Sequence, residues 1–90
     1  MDHRWQLTAD ECFAIRGRGL VVVGRIEGQA TMGDRAVLTT PDGQSRHVSV
    51  LGIDHSHARR QGDVETHIGI LVNVTDMPFV PRGAVLRSAM

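Results

Sequence analysis

This 90-residue chain predicts an all-β fold, a small antiparallel barrel with Greek-key-like connections. Three observations lead there. Eleven Val, five Ile and six Thr make 22 β-branched residues, a composition suited to pleated, half-buried strands. Ten glycines fall between short apolar runs, so turn signals recur at the spacing of short strands. No long window holds apolar residues at helical spacing, because glycine or proline interrupts every candidate. At most a single helical turn is expected.

The elements follow in order. Glu11 to Arg16 alternates, with Phe13 and Ile15 on what would be the core face, and Gly17-Arg18-Gly19 supplies permissive backbone for a tight hairpin. Leu20 to Glu27 returns as the second strand, and Gly24 within it suggests a bulge or barrel bend. A longer connection from Gly28 to Asp34 precedes strands over Ala36 to Thr40 and Ser45 to Ile53. These two flank Pro41-Asp42-Gly43-Gln44, where proline presets the turn and glycine takes positive φ. A polar segment from Asp54 to Glu65 separates them from Thr66 to Val74, where Ile68, Ile70, Val72 and Val74 share one face. Ala84 to Arg87 closes the sheet. Val21, Ile26, Val37, Val50, Ile70 and Val85 are the expected core contributors. Residues 1–9 are expected to be a flexible segment and 10–88 the barrel domain.

Composition limits what such a domain does. Ten arginines, ten acids and no lysine give a formal net charge of zero, whereas a general nucleic-acid binder is usually strongly basic. The longest apolar stretch, Leu20 to Val23, is far short of the roughly 20 residues a membrane helix needs. No signal-like segment opens the chain, so a cytoplasmic protein without membrane contact is expected. Cys12, the single cysteine, can form no internal disulfide and reads as a small apolar packing residue. A thin core of this size leaves little room for a cofactor, and none is expected.

Three motifs in order carry a resemblance. They are Gly17-Arg18-Gly19-Leu20-Val21-Val22-Val23-Gly24-Arg25-Ile26-Glu27-Gly28 followed by Met32-Gly33-Asp34, then Ile68-Gly69-Ile70-Leu71-Val72, then Arg82-Gly83-Ala84-Val85-Leu86. Together they resemble the β-barrel second domain of translational GTPases of the elongation factor Tu type, across about residues 10–88. The resemblance implies a barrel that in relatives cradles the aminoacyl end of transfer RNA and packs on neighbouring domains. The GTPase phosphate loop of those relatives ends in lysine and serine or threonine, and this chain has no lysine. No enzymatic activity and no nucleotide binding are therefore expected. In relatives the cradle uses an adjacent acidic pair, a phenylalanine two residues on, a threonine in the second strand and an asparagine before the fifth. Asp10, Glu11 and Phe13 match by position, while Val23 stands in place of the threonine and His67 in place of the asparagine. The loop Gly17, Arg18 and Gly19 faces ribosomal RNA in relatives.

Other residue groups suggest alternatives. His55 and His57 lie on one side of an extended segment, with spacing that suits a metal ion if His47 or His67 supplied a third ligand. With Arg59 and Arg60 they form the most basic segment, increasingly so where histidines charge. Met77-Pro78-Phe79-Val80-Pro81 is an apolar loop held between prolines; relatives bury the Val80 position, and Phe79 either caps the barrel or meets a partner. The leading expectation is a non-catalytic binding module with a protein partner of the translation apparatus. The alternatives are a module binding transfer or ribosomal RNA, and a histidine-based metal or pH-responsive regulator.

Overall fold

The computed structural model describes residues 4–61, 64–77 and 80–89, and for residues 56–61 and 64–66 the backbone alone. Its six strands are β1 (Trp5–Ile15), β2 (Gly19–Gly28), β3 (Arg35–Thr39), β4 (Ser45–Gln61), β5 (Val64–Val72) and β6 (Val85–Ser88). They close into a barrel in the order β1-β2-β5-β4-β3-β6, with every neighbouring pair antiparallel. Hairpins join β1 to β2, β3 to β4 and β4 to β5, while the β2–β3 and β5–β6 connections cross between strands that are not neighbours. Among the described residues there is no helix, hence none long and apolar enough to cross a membrane.

Alternate residues of each strand fill the barrel, because successive side chains point to opposite faces. Leu7, Leu20, Val22, Leu38, Ile70 and Leu86 are all fully buried there. The expected face of Ile68, Ile70, Val72 and Val74 is wholly in this core, as are Ile26 and Val50. Val37 and Val85 are only partly buried, since their neighbours Ala36, Leu38, Ala84 and Leu86 take the inward positions. Val21 is buried, but in a second cluster with Val23, Leu71 and Ile15. Val22 between them points inward, so that cluster lies on the outside of the barrel wall.

The first strand begins at Trp5, six residues before the expected Glu11, and Trp5, Leu7 and Ala9 are buried core residues. The segment 1–9 is thus not a flexible end from Trp5 onward. A core this thin draws in any alternating apolar residues beside it, and Trp5-Gln6-Leu7-Thr8-Ala9 alternates. The Trp5 indole N–H donates to Asp34 Oδ2 at 2.9 Å, and the Thr31 backbone N–H donates to the same oxygen at 2.9 Å. One carboxylate therefore ties β1 to the turn that leads into β3. At the other end, Thr40 to Gly43 closes with Gly43 N–H on Thr40 O at 2.9 Å, and Gly43 has φ of 92°. Proline and glycine take the expected places in this turn.

The polar segment after Asp54 is not a free connection. β4 continues to Gln61, and Arg59, Arg60 and Gln61 pair with His67, Glu65 and Val64 of β5. Beyond the positions where β4 meets β3 and β5 meets β2, the two strands pair only with each other. Such a ribbon needs no alternating apolar face, which is why composition made it look like a loop.

Candidate functional site

A single bulge decides what the outside of β1 presents. Ala9 pairs with Gly24 and Glu11 with Val23, leaving Asp10 as the extra residue of β1. One inserted residue reverses the facing of everything after it. Trp5, Leu7 and Ala9 point inward, but beyond Asp10 it is Cys12 that packs against the core, while Phe13 is 39% exposed and Ile15 joins the outer cluster. The expected core role of Phe13 and Ile15 is thereby corrected. The irregularity expected at Gly24 lies in the opposite strand, and Gly24 makes room for it. A Cβ there would stand 1.9 Å from the Thr8 carbonyl oxygen.

The cradle positions meet on one surface. Across β1, β2 and β5 the register aligns Phe13 with Val21 and Leu71, and Glu11 with Val23 and Gly69. The next row carries Thr8, Arg25 and His67. From the bulge, Asp10 reaches past β2: His67 Nε2 donates to Asp10 Oδ2 at 2.7 Å. The imidazole is the less exposed partner, at 24% against 47% for the carboxylate. Asp10, Glu11, Phe13, Val23 and His67, which the sequence places in three separate segments, thus share the outer face of three adjacent strands. Gly69 at the centre of this face is flanked by Val21, Val23 and Asp54, so closely that a Cβ would lie 3.0 to 3.4 Å from all three.

The turn that joins β1 to β2 is basic. Arg16 and Arg18 are exposed, and the turn closes with Arg18 N–H on Ile15 O at 2.9 Å. Gly17 has φ of 76°, the value a type II turn requires at its third position. Gly19 re-enters the sheet so close to β5 that a Cβ would stand 2.1 Å from the Val72 carbonyl oxygen. Both glycines have mechanical roles. Cys12 is turned the other way: its sulfur accepts from the Val80 N–H, and Val80 is buried.

The remaining sequence candidates fall elsewhere. His47 is exposed on β4 opposite Val37 of β3, and His67 is engaged with Asp10. Among the described residues no three His, Cys, Asp or Glu side chains gather to hold a metal ion. His55 is exposed on β4, while the side chains of His57, Arg59 and Arg60, and Phe79 altogether, lie outside the described residues. Sequence reasoning missed Arg25, Asp54, Gly69 and Leu71 as parts of the face, because their inclusion depends on strand register. No known protein-family model matches the chain, and no curated protein shows significant similarity to it.

Proposed function

We propose that this chain is a non-catalytic β-barrel binding module that takes a protein partner of the translation apparatus on the outer face of β1, β2 and β5. The observation that carries the reading is the outward display of Phe13, 39% exposed in a strand where a bulge-free register would bury it. An exposed aromatic backed by buried Val21 and Leu71 has the form of a protein-interface anchor. The flanking Asp10 and Glu11 favour protein over RNA, since carboxylates repel the phosphates that dominate nucleic-acid affinity. Arginine without lysine also suits protein contacts, through its planar and weakly hydrated head group. Kinship with the second domain of elongation factor Tu-type GTPases, and with it the translation apparatus as the source of the partner, is supported by the three ordered motifs.

The test is capture from cell lysate with and without ribonuclease, using wild-type chain and Phe13→Asp. A translation protein retained after ribonuclease treatment and lost in Phe13→Asp supports the reading. Ribosomal or transfer RNA that survives moderate salt, and is lost in Arg59→Ala with Arg60→Ala, would replace it with the RNA reading.

A further inference from the structure

A second part of the outer wall, over β6, β3 and the start of β4, carries cations without acids. Ala36, Leu38, Val48, Ala84 and Leu86 point into the core, so their neighbours Arg35, Val37, Thr39, His47, Val85 and Arg87 point outward. The register sets Arg87, Val37 and His47 side by side across the three strands. Arg87 and His47 thus stand two strand spacings apart, about 10 Å, and Arg35 lies about 7 Å along β3 from the valine between them. All three cations are exposed. Arg87 Nε donates to Gln6 Oε1 at 2.9 Å, which anchors the guanidinium to β1 without neutralising it. Arg46, by contrast, is paired with Asp76. No carboxylate occupies an outward position of β6, β3 or β4 up to Ser49, and the nearest in register is Glu27, beyond Gln6 on β2. Hydroxyls fill the next row: Thr39 Oγ1 and Ser45 Oγ are 3.1 Å apart, and Thr8 is exposed beyond Val85. Val37 and Val85 are half-buried, and no aromatic side chain stands at these outward positions.

We propose that the outer face of β6, β3 and β4 binds the backbone of duplex RNA. Arginines without a carboxylate partner, interspersed with hydroxyls, match phosphates and ribose 2′-hydroxyls, the groups that A-form RNA displays along its wide, shallow minor groove. Single-stranded RNA fits less well, because its unstacked bases need aromatic platforms that this face lacks. An acidic protein also fits less well, because its interface would need an apolar or aromatic anchor at the centre, where Val37 is half-buried. Two arginines make the binding weak, salt-dependent and independent of base sequence. The inference goes beyond the partner reading and can fail independently of it, since it concerns another face and the purified chain alone.

Fluorescence anisotropy of a fluorescein-labelled RNA duplex of about 16 base pairs, titrated with purified protein, tests this. The expected Kd is about 10⁻⁵ to 10⁻⁴ M at about 50 mM salt, with log K falling against log salt at a slope of about −2. Arg35→Ala with Arg87→Ala should weaken binding at least about tenfold and flatten that slope, whereas Arg59→Ala with Arg60→Ala should leave both unchanged. A DNA duplex of the same sequence, and either RNA strand alone, should bind at least about threefold more weakly. Far-UV circular dichroism confirms that each variant is folded. A wild type that leaves the RNA duplex unbound to about 1 mM would overturn the inference. So would a double-arginine variant that binds as the wild type does, loss of binding in the Arg59 and Arg60 variant instead, or DNA or single strands bound as tightly as the RNA duplex. A synthetic polyglutamate peptide that displaced the duplex at equal concentration of charge would assign the face to an acidic protein and overturn it as well.

Discussion

The imidazole of His67 on β5 donates to the carboxylate of Asp10 at the β1 bulge across 2.7 Å, spanning the intervening strand β2. The bond links the two outer strands of the face at the point where β1 changes its facing. A partly exposed pair of this kind contributes about 0.2 to 1 kcal/mol. A double-mutant cycle of Asp10→Asn and His67→Ala, measured by urea unfolding, should return a coupling in that range. A coupling near zero would show that the pair does not hold the bulge.

Gly24 and Gly52 make opposite predictions for one chemical change. A methyl at Gly24 would collide with the Thr8 carbonyl, which is backbone and cannot swing aside, whereas a Cβ at Gly52 meets nothing within 4 Å. Gly24→Ala should destabilise the barrel by about 3 kcal/mol or more, or prevent folding. Gly52→Ala should be neutral or stabilising by up to about 1 kcal/mol. Thermal melts followed by circular dichroism compare the two directly.

Trp5 is the only tryptophan and is 2% exposed, so its fluorescence reports on the first strand. Trp5→Phe keeps most of the packing but removes the donor to Asp34 Oδ2, and should cost about 1 to 3 kcal/mol in a urea titration. Deleting residues 1–9 removes three buried core residues and should abolish cooperative unfolding. A truncated chain that still melts cooperatively would contradict the place assigned to this strand.

Two carboxylates sit below the ordinary range. The Arg46 guanidinium bonded to Asp76 lowers its pKa, and the Thr40 hydroxyl, with the Gln44 backbone, lowers that of Asp42. A depressed folded-state pKa adds stability that is fully present above the unfolded value, about 3.9, and is lost as pH falls through the folded value. Both groups are fully exposed, so the effect on stability is small. Carbon-detected NMR titration should find both carboxyls titrating below the ordinary aspartate range, with Arg46→Ala returning Asp76 alone to it.

The barrel was legible because its signals are local. Alternation in Ser45 to Ile53 and Thr66 to Val74, glycine at the Arg16–Arg18 turn and proline with glycine at Pro41–Gly43 each act within a few residues. The face was legible only in part. Asp10, Glu11, Phe13 and His67 were singled out by their positions in motifs, but their meeting depends on a β1–β2 register that skips Asp10, and that skip inverted the expected side of Phe13. Nothing in Thr8-Ala9-Asp10-Glu11 announces a bulge; the room for it is supplied by Gly24, fifteen positions after Ala9. Val37 and Val85 looked like core for a related reason, since a valine next to Leu38 or Leu86 is distinguished from it only by strand phase.

The most direct test of the binding-face account is a hydrogen-exchange footprint of the chain with its captured partner, compared with the monomeric chain. The account predicts slowed exchange over residues 10–15 of β1 and their paired positions in β2 and β5, with β3 and β6 unchanged. Protection confined to β3 and β6, the strands outside that face on the far side of β1, would contradict it.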